Sequence, residues 1–370
     1  MSKVERGLDG VIVDETAVCL ADKTTDRLFY RGYAIEDLAE HAGYEEVAYL
    51  LIYGELPTAS QLDEYRALVA AQRAVPDMIR NVLAQLPPDS DPMDVLRTGC
   101  SILGSLEPET KDGGIRKVAC RLMGCMPGML LHWHHHQRGA AVPADTGETT
   151  AAGHFLHLLQ GQSPGPLLRR AIEVSLIVYA EHDFNASTFA ARVATSTLSD
   201  GYSAYIAAVS TLRGPLHGSA NASVLRFLTR FGSADEAEAA VKAMFAQKGR
   251  IPGFGQRAYS KADPRNAINR RWAKQLADSA GDRLLYDIAD RVEQVVMREK
   301  GMFANLDYYT AIIYHLCGIP VRIFPAMFFL ARLCGLAAHI AEQRANNRLI
   351  HPSSLYAGVS PRAFVPITQR

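Results

Sequence analysis

DRLLYDIADRVEQVVMREK, residues 282–300, sets Leu285, Ile288, Val292, Val295 and Val296 on one stripe at three- and four-residue spacing. That is the period of a helix with one buried face. The same period runs through Tyr44 to Tyr53, Ser60 to Ala74, Met78 to Leu86 and Val95 to Leu103, with Pro and Gly between the segments. It returns at Arg169 to Glu181, Thr188 to Leu212, Asp235 to Gln247 and Ala267 to Ser279. Strand signals are confined to VIVDETAVCL (11–20) and RLFYRGY (27–33), short alternating runs that suit one small hairpin. Too few strands remain for an α/β sheet, so the expected class is mainly α. No fixed-period repeat points to a solenoid.

A chain of 370 residues exceeds the usual span of one compact core, and two packed units sharing a cleft are expected. Breaks at Gly214-Pro215 and Gly318-Ile319-Pro320 enclose charged, surface-type helices. They suggest a small helical domain, residues 218–320, set into a large one made of residues 1–217 and 321–370. Lys plus Arg and Asp plus Glu both number 39, so no net field favours nucleic acid or an anionic membrane. Anionic substrates would need local arginines. The charged start MSKVERGLDG has no apolar core of a secretory signal, which makes the cytoplasm the expected address. Six cysteines lack CxxC pairing and read as buried free thiols. The apolar stretch Ile323 to Ile340, interrupted by Pro325 and carrying Arg332 and His339, reads as a core helix and not as a membrane span.

Four polar clusters fall at breaks between helices, where scaffolds present reactive groups. They are HDFNAST (182–188), RGPLHGSAN (213–221), IPGFGQRAYSKADPR (251–265) and ANLDYYT (304–310). Each has a structural alternative: His182 as a core histidine, His217 as a capping residue after a Pro turn, Asp307 as a helix N-cap. The run LHWHHHQRG (131–139) places His132 and His136 four apart but lacks a third ligand, so it reads as a helix end and no metal is expected. PGFGQR has no preceding strand and no GK[ST] ending, so it is not a nucleotide loop. Arg213, Arg250 and Arg257 can be read as surface charges.

Taken together, FYRGYAIEDLA (29–39), EEVAYLLIYGELPT (45–58), AEHDFNASTFAARV (180–193), GPLHG (214–218), PGFG (252–255) with DPRN (263–266), YYTAIIYHLCGIP (308–320) and AAHIAEQRANNRLI (337–350) resemble the citrate synthase family over almost the whole chain. The DFNASTFAARV and YHLCGIP wording resembles its 2-methylcitrate synthase branch. The resemblance implies a two-domain helical homodimer with shared active sites, condensing an acyl-CoA with oxaloacetate and then hydrolysing the thioester. It implies no permanently bound cofactor; the coenzyme A thioester is substrate. On the family's positions, Asp307 is the base that removes the α-proton and His217 donates to the thioester oxygen. His182, Asn185, Arg265 and Arg332 fall at the oxaloacetate. Gly253, Phe254, Gly255 and Lys300 fall along the coenzyme A, with Arg257 a further phosphate contact. Such pairing suits a weak carbon acid, which needs a base and an enolate-stabilising donor together. Arginines suit carboxylates through bidentate donation.

Two positions depart from that pattern. Gln256 stands where the family has the histidine that polarises the ketone, and glutamine can donate a hydrogen bond but transfer no proton. His351 precedes Pro352 where the family has an arginine that reaches across the dimer. Both changes touch the oxo-acid side, and the enolising pair is retained. The expected activity is therefore slow with oxaloacetate, or directed at another carbonyl partner, or replaced by a binding role.

Overall fold

The N-terminal alternation closes into an antiparallel sheet of three strands, β1 (Cys19–Asp22), β2 (Arg27–Tyr30) and β3 (Tyr33–Ala34), paired in that order. Cys19 lies opposite Tyr30 and Asp22 opposite Arg27. The two-residue third strand extends the hairpin legible in the sequence. The computed structural model describes residues 4–8, 10–112, 114–143, 147–256 and 258–370.

Helices joined by turns and loops make up most of the rest, and an extended stretch follows the last long helix. The first group is α1 (Ile35–His41), α2 (Tyr44–Tyr53), α3 (Ala59–Ala70), α4 (Asp77–Ala84), α5 (Pro92–Leu106), α6 (Gly114–His136), α7 (Ala151–Gln160) and α8 (Pro166–Tyr179). They are followed by α9 (Ala186–Ser196), α10 (Gly201–Leu212), α11 (Ala220–Leu228), α12 (Ala234–Ala246), α13 (Pro264–Ala280), α14 (Leu284–Lys300), α15 (Leu306–Leu316) and α16 (Phe324–Ala345). Many starts carry a side-chain cap, which stabilises a helix by about 1 kcal/mol. Thr58 forms a reciprocal box with Gln61 at α3, and Asp263 caps α13 ahead of Pro264. α14 begins two residues later than its periodic segment and ends on Gly301 at φ 63°, a left-handed turn that glycine takes without strain.

Two sequence expectations are corrected. The single helix expected over Thr188 to Leu212 is two, because Leu198 turns left-handed at φ 66° and the Asp200 side chain accepts from Ser203 N at 2.9 Å to start α10. The polar turn 197–200 therefore outweighs the continuous apolar period. Pro325 does not interrupt the apolar stretch; it lies in the first turn of α16, where its missing N–H has no partner to lose.

α16 is the axis of the core and packs against α2, α6, α8, α9 and α10. Val321–Ala345 has the length and hydropathy of a membrane span yet is almost wholly buried inside the fold. The charged helices form their own pairs, α12 on α14 and α13 on α15, with α11 also on α15. Their outer face is laced by Glu238, which bonds Arg291 and Arg298 at 3.0 Å each and Lys242 at 2.7 Å. α8 touches both α15 and α16, so the two groups of helices meet where the polar clusters lie. All six cysteines are buried and unpaired.

Candidate active site

A cavity of about 800 Å³ is lined by His182, Asn185, His217 and Gln256, four positions singled out in the sequence, alongside Asp183 and Phe184. Helix termini deliver them. Asn185 caps α9, its Oδ1 accepting from the N–H groups of Ser187 and Thr188 at 3.2 and 3.1 Å. His182 sits in the turn just before that cap. His217 belongs to the turn ahead of α11, and the N-cap there is Ser219, so His217 is not a capping residue.

His217 Nε2 lies 2.9 Å from Ser187 Oγ, which in turn donates to Asn185 Oδ1 at 2.8 Å. With Nε2 engaged, Nδ1 is the ring nitrogen left for a ligand; it can donate once the Ser187 hydroxyl turns its proton to Nε2. Burial, reinforced by the Arg332 cation, lowers the His217 pKa to about 4. The imidazole is neutral at pH 7. Burial, with Arg265 and Arg332 nearby, also holds His182 well below the ordinary histidine range, and its Nε2 lies 3.0 Å from Tyr259 Oη.

Asp307 lies in the first turn of α15. The cap of that helix is Asn305, whose Oδ1 accepts from Asp307 N at 3.1 Å, so the Asp307 carboxylate is free of the capping role. Tyr179 Oη donates to Asp307 Oδ1 at 2.6 Å. Burial raises the Asp307 pKa to about 6, against the opposing pull of the Tyr179 bond and Arg265. A carboxylate ionised at neutral pH yet above its usual basicity is suited to proton abstraction.

Phe328 of α16 joins these groups. Its ring centroid lies 4.7 Å from that of Tyr179 and 5.7 Å from that of His217, and Arg332 stands over it at 4.9 Å. Arg332 Nε donates to Tyr179 O at 2.7 Å, and its Nη1 is buried without a partner. Burial lowers the Arg332 pKa. A buried guanidinium with an unused donor is matched to a carboxylate.

Arg265 is held differently. Its Nε and Nη2 donate to the two oxygens of Asp263 at 2.9 and 2.8 Å. Burial works against its charge, but the charge and hydrogen bonds of Asp263, with Tyr259 and Tyr30, together outweigh it and the pKa is raised. Asp263 Oδ2 also accepts from Gln256 Nε2 at 2.7 Å. A carboxylate only accepts, so the amide nitrogen must face Asp263 and the Gln256 Oε1 is left as an acceptor. His351 lies exposed on the extended C-terminal stretch and does not line the cavity.

A second cavity, about 540 Å³, is lined by Lys248, Arg250, Phe254, Lys300 and Met302 among others. Lys300 Nζ stands 4.9 Å over the Phe245 ring. Gly253, at φ 84°, has no room for a side chain: a Cβ would meet Tyr308 and Val224 at 2.7 Å each. Gly255 follows at φ 82°. Arg257 lies outside the described residues. Arg250, readable from sequence as a surface charge, lines this cavity, and Lys248 joins it unannounced. Tyr179, Phe328 and Asp263 were also missed. The first two read as core aromatics at helical spacing, whereas the Asp-Pro pair at 263–264 is a helix-start signal that could have marked Asp263.

The family model "Citrate synthase, C-terminal domain" matches residues 7–353. The chain is 42% identical over 365 residues to a 2-methylcitrate synthase of Shewanella oneidensis, covering 98% of this chain and 97% of that one. It is 38% identical over 370 residues to citrate synthase 2 of Bacillus subtilis, with 99% of each covered. Among solved structures, citrate synthase of Thermoplasma acidophilum in ternary complex with carboxymethyl coenzyme A and oxaloacetate superposes with a TM-score of 0.92 at 32% identity, over 100% of both chains. That of Thermotoga maritima gives 0.90 at 34% identity, over 100% of this chain and 99% of its own. This chain therefore belongs to the citrate synthase family, acyltransferases of the citrate and 2-methylcitrate synthase type.

Proposed function

We propose that the protein condenses propionyl-CoA or acetyl-CoA with oxaloacetate, giving 2-methylcitrate or citrate plus CoA. Asp307 takes the proton from the carbon next to the thioester, and His217 donates to the thioester oxygen as the enolate forms. The enolate carbon attacks the ketone carbon, the C=O π pair moves onto oxygen as an alkoxide that takes its proton from water, and a further water then cleaves the thioester to release the thiol. His182, Asn185, Arg265 and Arg332 hold the oxo acid, and His351 reaches it from a second copy of the chain. The cationic cavity of Lys300, with Gly253, Phe254 and Gly255, takes coenzyme A, and Arg257 adds a phosphate contact. The division into a large domain, residues 1–217 and 321–370, and a small one, 218–320, belongs to the same reading.

The observation that carries it is the combination of Asp307, raised to about 6 and bonded to Tyr179, with a neutral His217, Tyr179 and His217 both packing on the Phe328 ring. Base and electrophile thereby have the protonation states that carbon-acid chemistry needs at neutral pH. Gln256 favours a second reading, a slow or silent member that binds CoA and an oxo acid or prefers another carbonyl partner. Its amide nitrogen is already bonded to Asp263, and an amide has no proton to transfer.

Thiol release from propionyl-CoA and acetyl-CoA, with and without oxaloacetate, tests both on wild type and Gln256→His. Oxaloacetate-dependent release by wild type supports the first reading. General-acid assistance is worth roughly 10²- to 10⁴-fold, and the histidine variant should gain within that range. Release by neither protein, together with no exchange of the acyl α-protons, would refute the condensation.

A further inference from the structure

The turn between β1 and β2 reaches the loop that carries Gln256. Asp22 shapes that turn, accepting from Thr24 N at 2.8 Å and from Thr25 Oγ1 at 2.6 Å. Asp26 follows with a left-handed φ of 53°, and its carboxylate is turned off its own hairpin. Oδ1 accepts from Ser260 N at 2.6 Å and Oδ2 from Lys261 N at 2.8 Å. Ser260 Oγ also donates to Lys23 O at 2.9 Å. These partners are more than 230 residues apart in the chain, so the contact is made only by the tertiary fold.

The gripped segment matters because of what adjoins it. Loop 251–263 is fastened at one end where Asn305 N donates to Gly253 O at 2.9 Å, and at the other where Leu306 N donates to Asp263 Oδ2 at 3.1 Å. Midway, Tyr259 directly precedes Ser260 and brings its hydroxyl 3.0 Å from His182 Nε2, with the two rings edge-on at 5.5 Å. A surface loop held only at its ends explores many conformations. Two charge-assisted hydrogen bonds to consecutive backbone N–H groups remove that freedom. The Ser260 backbone bond holds the Asp26 carboxyl below the usual carboxylate range, so the group is ionised at neutral pH.

We propose that Asp26 is a positioning residue for the oxo-acid pocket: gripping the N–H groups of Ser260 and Lys261, it seats Tyr259 against His182 and keeps Gln256 at the cavity wall. It touches no substrate. The proposal rests on the reading of that cavity as the oxo-acid site.

The test compares full-length wild type with Asp26→Ala, Asp26→Asn and Ser260→Ala. It uses steady-state kinetics with oxaloacetate and propionyl-CoA, and backbone hydrogen exchange over residues 256–263. Asp26→Ala should speed exchange at Ser260 and Lys261 and raise the KM for oxaloacetate by about tenfold, the usual effect of losing a charge-assisted bond. The KM for propionyl-CoA should stay at its wild-type value. Asp26→Asn, with one accepting oxygen, should fall between, and Ser260→Ala, which keeps both N–H donors but loses its Oγ bonds to Lys23 O and Asp26 Oδ1, should raise the oxaloacetate KM less than Asp26→Ala. Unchanged exchange in Asp26→Ala, or faster exchange with both KM values unmoved or equally raised, would overturn the proposal. If wild type shows no turnover, calorimetric binding of oxaloacetate replaces KM. Wild type that binds no oxaloacetate, with exchange still responding in Asp26→Ala, refutes the oxo-acid reading and leaves only the grip itself.

Discussion

Asp307 and His217 both titrate below neutral pH, near 6 and near 4, and the pH dependence expected of the proposed reaction follows from that. Below a pKa of about 6 the base is protonated, so kcat/KM should fall tenfold per unit as pH drops below 6 and level off above it. His217, already neutral above about 4, adds no limb in that range. A pH–rate profile with an inflection near the ordinary aspartate value would remove Asp307 as the base. Asp307→Asn should lower turnover by roughly 10²-fold or more and abolish α-proton exchange. The same substitution should help folding. A carboxyl whose folded pKa is raised binds its proton more tightly in the native state, so wild-type stability declines as pH rises from about 4 through about 6. The stability advantage of Asp307→Asn should therefore grow by about 2 kcal/mol between pH 4 and pH 7, after discounting for partial exposure, as denaturant melts at the two pH values would show. Asp307 and His217 were legible as candidates because polar clusters at helix breaks are where chemistry is presented. Tyr179 and Phe328 were not, since an aromatic on an apolar stripe reads the same whether it fills a core or backs a carboxylate.

Among the elements, α9 and α16 are joined by a buried ionic group that also ties down the segment before β1. Arg192 Nη1 donates to Glu342 Oε2 at 2.8 Å and its Nη2 to Asp14 Oδ2 at 3.1 Å, with Phe184 4.4 Å beneath the guanidinium. Ala17 N donates to the other oxygen of Glu342 at 2.7 Å, and His339 links Glu181 to the group at 2.9 Å. Asp14 and Phe184 are both walls of the main cavity, so this network sets its rim. Arg192→Met would strand two carboxylates that retain some solvent, and should cost about 3 kcal/mol, the lower end for a broken buried pair. A chemical melt within about 0.5 kcal/mol of wild type, the range of a neutral surface change, would show that the network is dispensable. Periodicity marked the interiors of nine helical segments, while their ends shifted by up to four residues and α1, α6, α7 and α11 were not separately marked. Nor was the split between α9 and α10 marked, because a left-handed Leu198 has no sequence signature comparable to glycine.

For the molecule as a whole, the C-terminal stretch is the part a single chain leaves unsatisfied. Residues 351–370 are all exposed, and Leu355, Tyr356 and Phe364 show 71%, 74% and 81% of their surface. Apolar side chains strung along an extended segment call for a partner surface. Light scattering should give twice the chain mass, and removal of residues 347–370 should yield monomers with a large loss of oxaloacetate affinity. A monomeric full-length protein would sink both the dimer and the assignment of His351 to a neighbour's site. The sequence by itself determined the helical class, the small N-terminal sheet, the burial of the apolar helix over Ile323 to Ile340 and the polar clusters that supply the candidate site, because periodicity, caps and residue type are local properties. Tertiary structure alone decided that Gln256 faces Asp263 with its amide nitrogen, that Tyr179 backs Asp307 and that Asp26 grips the 256–263 loop, because each depends on which distant side chain arrives within hydrogen-bond reach.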